Sequence, residues 1–212
     1  MTIDFAALFQ RVLELLTNPR KTWRIIGSEP DRGRRLVARY VLLLALLASV
    51  CGLLGMILFD SRYAFGDRLL LGLISAGLKL GIFVGSVYML GLLVAVLAPS
   101  FDMPRSENRS LKLVAYASTP LWVAGFLTLV PQLTPLAALA GFGYAGYLLH
   151  LGAQALLGAS SESAWRLALA ATICWFVFTL VTTWIAVQIA GLMFTPALLL
   201  DGLARPPAAP FA

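Results

Sequence analysis

The sequence predicts an all-α protein, a five-transmembrane-helix bundle behind an amphipathic cytoplasmic N-terminal helix region. Three observations predict it. Hydrophobic residues make up 60% of the 212-residue chain and charged residues 12%, whereas soluble domains are about 25% charged. The mean hydropathy is +0.87, and the apolar residues gather in runs long enough for a bilayer core of ~30 Å. The cations border those runs, so the net charge of +6 reads as membrane topology and not as a nucleic-acid patch. This composition excludes a disordered chain, a nucleic-acid module and an ordinary cytosolic enzyme.

The N-terminal region covers residues 1–35. In residues 3–17, Phe5, Leu8, Phe9, Val12, Leu15 and Leu16 recur at helical spacing, with Asp4, Gln10, Arg11 and Glu14 opposite. Asn18-Pro19 restarts a helix, Asn as cap and Pro at the first position. Arg20, Lys21, Trp23 and Arg24 follow, and this mixture of cations and an indole predicts a membrane-interface anchor. Residues 28–35 read as a polar turn. The first long apolar run begins near residue 40, later than the ~15–30 residues of a signal peptide, so retained spans are expected.

The membrane domain covers residues 36–194. The first span is 40–59, about 30 Å of helix at 1.5 Å per residue. The second, 69–98, is long enough to require tilt or an interfacial start. The third is 111–130, interrupted by Pro120. A tight loop from Pro131 to Pro135 leads to the fourth, 135–158, and the fifth is 166–194. Residues 195–212 form a short external tail. Cation counting places twelve Lys and Arg on the N-terminal side and Arg62, Arg68 and Arg205 on the other, which predicts a cytoplasmic N-terminus and an external C-terminus. The alternative is four spans, with the Pro-broken 111–158 pair forming a re-entrant hairpin packed against its neighbours.

Three segments in order, LLTNPRKTWRII, LKLVAYASTPLWVAGFL and GYAGYLLHLGAQALLG, resemble bacterial members of the Yip (Ypt-interacting protein) domain family. The resemblance runs over about residues 13–194. It implies a five-span domain with a cytoplasmic N-terminus in a bacterial inner membrane. Eukaryotic members of that family bind prenylated Rab-type GTPases in Golgi and endoplasmic reticulum membranes. Their pattern of a Tyr followed by a Pro within a span is matched by Tyr116 and Pro120. Their acidic Leu-Tyr-Gly-Pro motif has no counterpart in this chain.

Several residues are candidates for an intramembrane polar site. Pro120 removes one helix hydrogen bond and frees the carbonyl of Tyr116, with Ser118 and Thr119 beside it. Broken helices of this kind build transporter sites, or are kinks whose freed carbonyl finds another donor. His150 and Gln154 share one helix face and are either functional or paired across helices. Lys79 is the one charge well inside an apolar run, expected to snorkel to the outer interface or to lie near the midplane. Gly77, Gly81 and Gly85 form a small-residue ribbon for close helix packing, within the chain or with another copy. Thr172, Thr179 and Thr183 share a face of the fifth span, where threonine usually bonds its own backbone.

No metal or cofactor is expected. The chain has one histidine and two cysteines, Cys51 and Cys174, both in apolar runs. No G-x-S-x-G, H-E-x-x-H or Walker motif is present, and the spans carry no acid. The expected function is therefore non-enzymatic: a membrane-organising or partner-binding scaffold. The alternative is a small-solute or ion permease using the broken third span. Expected partners are the lipid bilayer and a second copy or another membrane protein, with no nucleic acid.

Overall fold

The structure, a computed structural model, describes residues 5–30, 37–59 and 65–204. Most of the polar turn, the tip of the first loop and the end of the C-terminal tail lie outside the described residues. Among the described residues every regular element is helical. Two short helices open the chain, α1 (Phe5–Thr17) and α2 (Pro19–Ser28). A π-helical turn, Val37–Val41, leads into α3 (Leu42–Phe59), and α4 (Phe65–Leu97) returns beside it. Next come α5 (Glu107–Ala117) and α6 (Thr119–Gly125), then two 3-10 turns, Phe126–Leu129 and Pro131–Leu133. Two long helices close the chain, α7 (Thr134–Leu157) and α8 (Ser161–Ala204).

Among the described residues four helical stretches are long and apolar enough to cross a membrane: Arg39–Phe59, Arg68–Phe101, Thr134–Leu157 and Ser161–Ile189. They correspond to four of the five expected spans. The third, 111–130, is not one helix. Its polar start is drawn back to Glu107 by Ser106, whose side chain accepts from the Arg109 amide, and it breaks at Ser118. The broken rod still runs antiparallel along α7. A Cβ on Gly152 would meet Leu113, and one on Gly141 would meet Leu121, so the contacts advance along one element as they go back along the other.

The N-terminal pair does not lie on the membrane by itself. Val12, Leu15, Trp23 and Ile26 are buried in the same core as α5 and α7. Trp23, expected as an interface anchor, is 1% exposed. Its ring stands edge-on to Tyr116, centroids 6.3 Å apart. The indole is large and apolar, and a glycine opposite makes room for it: a Cβ on Gly152 would sit 2.7 Å from Trp23 Cζ2. Phe9 and Leu13, by contrast, face outward, so the buried stripe of α1 is narrower than its periodicity predicts. Polar contacts complete the docking. Tyr144 donates to the Leu16 carbonyl at 2.8 Å, the Lys112 amine donates to the Glu29 carbonyl at 2.7 Å, and Arg11 pairs with Glu29. Asn18 makes no side-chain cap; the bend is held by the Thr22 hydroxyl, 2.9 Å from the Asn18 carbonyl and 3.0 Å from that of Glu14.

The ribbon of Gly77, Gly81 and Gly85 packs on nothing: a Cβ at any of the three meets open space. The close approaches occur elsewhere. Gly72 faces Leu53, Gly91 faces Leu111, Gly125 faces Ala48, and Gly146 faces Thr172. Which glycines are needed depends on which face each helix turns inward, and spacing along one helix does not contain that.

Gly152→Ala is therefore expected to lose about 1–3 kcal/mol through overpacking against the Trp23 ring, read as a lower thermal midpoint in detergent. Gly81→Ala is expected to leave the midpoint unchanged or raise it slightly, because alanine favours helix. Equal midpoints for the two variants would contradict the packing described.

Candidate functional site

The break in the third segment is closed from within. Pro120 frees the Tyr116 carbonyl, and the Thr119 hydroxyl donates to that carbonyl at 2.7 Å. The same Thr119 oxygen lies 2.8 Å from the Tyr40 hydroxyl, across to the start of the first span. Ser118 donates to the Ala115 carbonyl at 2.7 Å and accepts from the Trp122 indole at 3.0 Å. Ser118 and Thr119 are wholly buried. Tyr40 and Tyr116 stack obliquely, centroids 5.1 Å apart, and Tyr116 meets Trp23 on its other side. The candidate residues Tyr116, Ser118, Thr119 and Pro120 thus form one buried joint, with every hydroxyl of Ser118, Thr119 and Tyr40 engaged. Tyr40 and Trp122 belong to it too. Both are aromatic residues with a polar tip, common enough in membrane helices that their sequence positions carried no signal.

His150 and Gln154 lie on α7, away from that joint. Their side-chain nitrogens are 2.8 Å apart. The imidazole stands edge-on to Trp165 at 5.3 Å, and its Nδ1 is buried without a hydrogen-bond partner among the described residues.

Lys79 lies elsewhere again. It lines a crevice of about 430 Å³ between α4, α6, α7 and α8, together with Ser75, Trp122, Trp175, Thr179 and Thr183. Ser118, Thr119 and His150 do not reach this space. Gly72 packs against Leu53 and Met56, so Lys79, seven residues on, is about 10 Å further in along the α3–α4 hairpin. That level is close to Ala48, which also lines the crevice and falls near the middle of the Arg39–Phe59 window. The Lys79 backbone is therefore level with the middle of that helix and not with its Phe59 end. The threonine face of the last span divides: Thr179 and Thr183 border the crevice, whereas Thr172 packs on Gly146.

Arg20, Lys21 and Arg24 point outward from α2, whose other face is buried. Lys112, counted among the topological cations, is 3% exposed and serves as a strut under the end of α2. Among the described residues no group of three or more His, Cys, Asp or Glu side chains could hold a metal.

These features define a multi-pass helical membrane protein whose N-terminal helices are part of its core. The chain belongs to the Yip1 domain family, whose model matches residues 13–185. Among curated proteins it is similar to "Inner membrane protein YohC" of Escherichia coli strain K12 and of E. coli O6:H1 strain CFT073. Each is 28% identical over 157 residues, covering 70% of this chain and 79% of the relative. No solved structure matches the chain significantly.

Thr119→Val removes both the cap on the Tyr116 carbonyl and the partner of Tyr40. The expected loss is about 1–3 kcal/mol, the cost of leaving a buried polar group unpaired. Tyr40→Phe is expected to cost less, because it removes its own polar atom. The double variant should fall short of the sum by 0.5 kcal/mol or more, as for residues in one network. Denaturant titration of all four proteins measures this coupling; additive losses would show that the joint is not one unit.

Proposed function

We propose that the protein is a non-enzymatic organiser of the bacterial inner membrane. It presents the α1–α2 pair as a fixed, cationic platform to a membrane-protein partner. The single observation that carries this reading is the docking of that pair. Leu15 of α1 and Trp23 and Ile26 of α2 are sealed into the bundle core, while Arg20, Lys21, Arg24 and Ile25 face outward on α2. A segment that only set topology would need charge and no rigid seat. The cation asymmetry supports a cytoplasmic platform, and the name of the E. coli relatives supports the inner membrane. The open face of Gly77, Gly81 and Gly85 belongs to the same reading, as a flat surface on which another helix can pack closely.

The permease alternative requires a polar route through the broken segment. Ser118 and Thr119 are buried and committed to their own backbone and to Trp122 and Tyr40, so the geometry favours the platform.

The test is isolation in native lipid discs from the bacterial membrane. Wild-type protein is expected to bring down a defined membrane protein in stoichiometric amount. Arg20→Gln, Lys21→Gln and Arg24→Gln combined should lose at least ten times as much partner as bait, with an unchanged melting temperature. Lys21→Cys should react with a membrane-impermeant maleimide only after the cytoplasmic face is opened. Recovery of the bait alone from wild type, or labelling in intact spheroplasts, would overturn the reading.

A further inference from the structure

The crevice at Lys79 shares the Trp122 ring with the joint, and neither the joint nor the platform fills it. Its walls are mostly apolar, and its volume of about 430 Å³ is within the ~300–1,000 Å³ of small-molecule sites. The rim residues Leu78, Leu180 and Val187 are exposed and lie within the apolar stretches of α4 and α8. The opening therefore faces sideways, onto lipid. Lys79 and Thr183 are themselves exposed at the opening, and Ser75, one turn before Lys79, and Thr179, one turn before Thr183, are half-buried. Deeper in, the polar atoms are already engaged: Trp175 donates to Ser86 at 3.1 Å, and Ser86 donates to the Phe83 carbonyl at 2.8 Å.

Lys79 makes no ion pair or hydrogen bond among the described residues. No acid is within the apolar windows of α3, α4 and α7, and the one acid of the α8 window, Glu162, pairs with Arg166 at its far end. A cation at membrane depth needs a counter-charge or water, and the spans of this chain do not supply an anion. A second copy docking here would bring the same acid-free spans and bury the amine against apolar surface. The molecule that is abundant at a lateral opening and carries both an anion and apolar chains is an anionic membrane lipid.

We propose that this crevice binds an anionic phospholipid. The headgroup phosphate rests on the Lys79 amine at the opening, between the levels of Ser75 and Thr183, and an acyl chain lies along the apolar walls past Thr179 toward Phe176 and Trp122. The long, flexible lysine stem lets the amine rise toward the outer interface to meet the phosphate, so the headgroup descends only part of the distance to the Lys79 backbone.

The experiment is native mass spectrometry of the full chain, delipidated in detergent and titrated with phosphatidylglycerol or phosphatidylcholine carrying the same acyl chains. Wild type is expected to retain one phosphatidylglycerol about tenfold more tightly than phosphatidylcholine. Lys79→Met should bring the two to parity, and Lys79→Arg should keep the preference. Thr179→Trp, which fills the crevice, should lose the retained lipid of both kinds. The combined Arg20, Lys21 and Arg24 glutamine variant should keep the preference, which separates this site from the platform. Equal retention of the two lipids by wild type, or an undiminished preference in Lys79→Met, would overturn the proposal. So would loss of the preference only in the glutamine variant.

Discussion

A backbone carbonyl freed inside a membrane must find a donor, and in this protein the answer to that demand organises its surroundings. Pro120 frees the Tyr116 carbonyl, and the Thr119 hydroxyl takes it. Thr119 in turn anchors Tyr40, which fixes the start of the first span against the broken segment. Tyr116 then stands between Tyr40 and Trp23, and Trp23 fills the space that Gly152 leaves on α7. One helix break thus joins the first span, the third segment, the fourth span and the N-terminal pair. A buried polar group left unpaired costs about 1–3 kcal/mol, so each bond of the joint that is not made weakens the packing around it.

That closure bears on what the protein can do. The residues most suggestive of a transport site in the sequence are the ones the structure commits to holding the bundle together. The polar and charged groups left available are at the margins. Arg20, Lys21 and Arg24 are on the outer face of α2, and Lys79 lies in a lateral crevice. Among the described residues no group of three or more His, Cys, Asp or Glu side chains lies together.

Much of the fold was legible, and the failures share a cause. Length and apolarity located four long helices to within a few residues at most of their ends, because a bilayer imposes a minimum run of ~20 residues. The third span was read as one crossing interrupted at Pro120, because its apolar run is long enough for one. Proline and its hydroxyl neighbours marked the break, but not that the break would divide the segment into α5, α6 and a 3-10 turn. Trp23 was misplaced because an indole beside cations has the composition of an interface belt, and composition does not see Gly152 opposite. The glycine ribbon on α4 meets no other helix of this chain: small residues at a four-residue spacing permit close packing without naming the partner. Lys112, counted as a loop cation, is a buried strut.

What the sequence determined by itself was the solvent and the scale: lipid, helices, and a cationic N-terminal side. Those follow from transfer free energies and charge placement, which are properties of the chain alone. Only the tertiary structure decided which polar groups are satisfied, which glycines are touched, and that Lys79 shares a crevice with Thr179 and Thr183, a hundred residues further on. Hydrogen bonding and close packing act over a few ångströms between residues far apart in sequence. They exist only once the helices have chosen their neighbours and turned their faces.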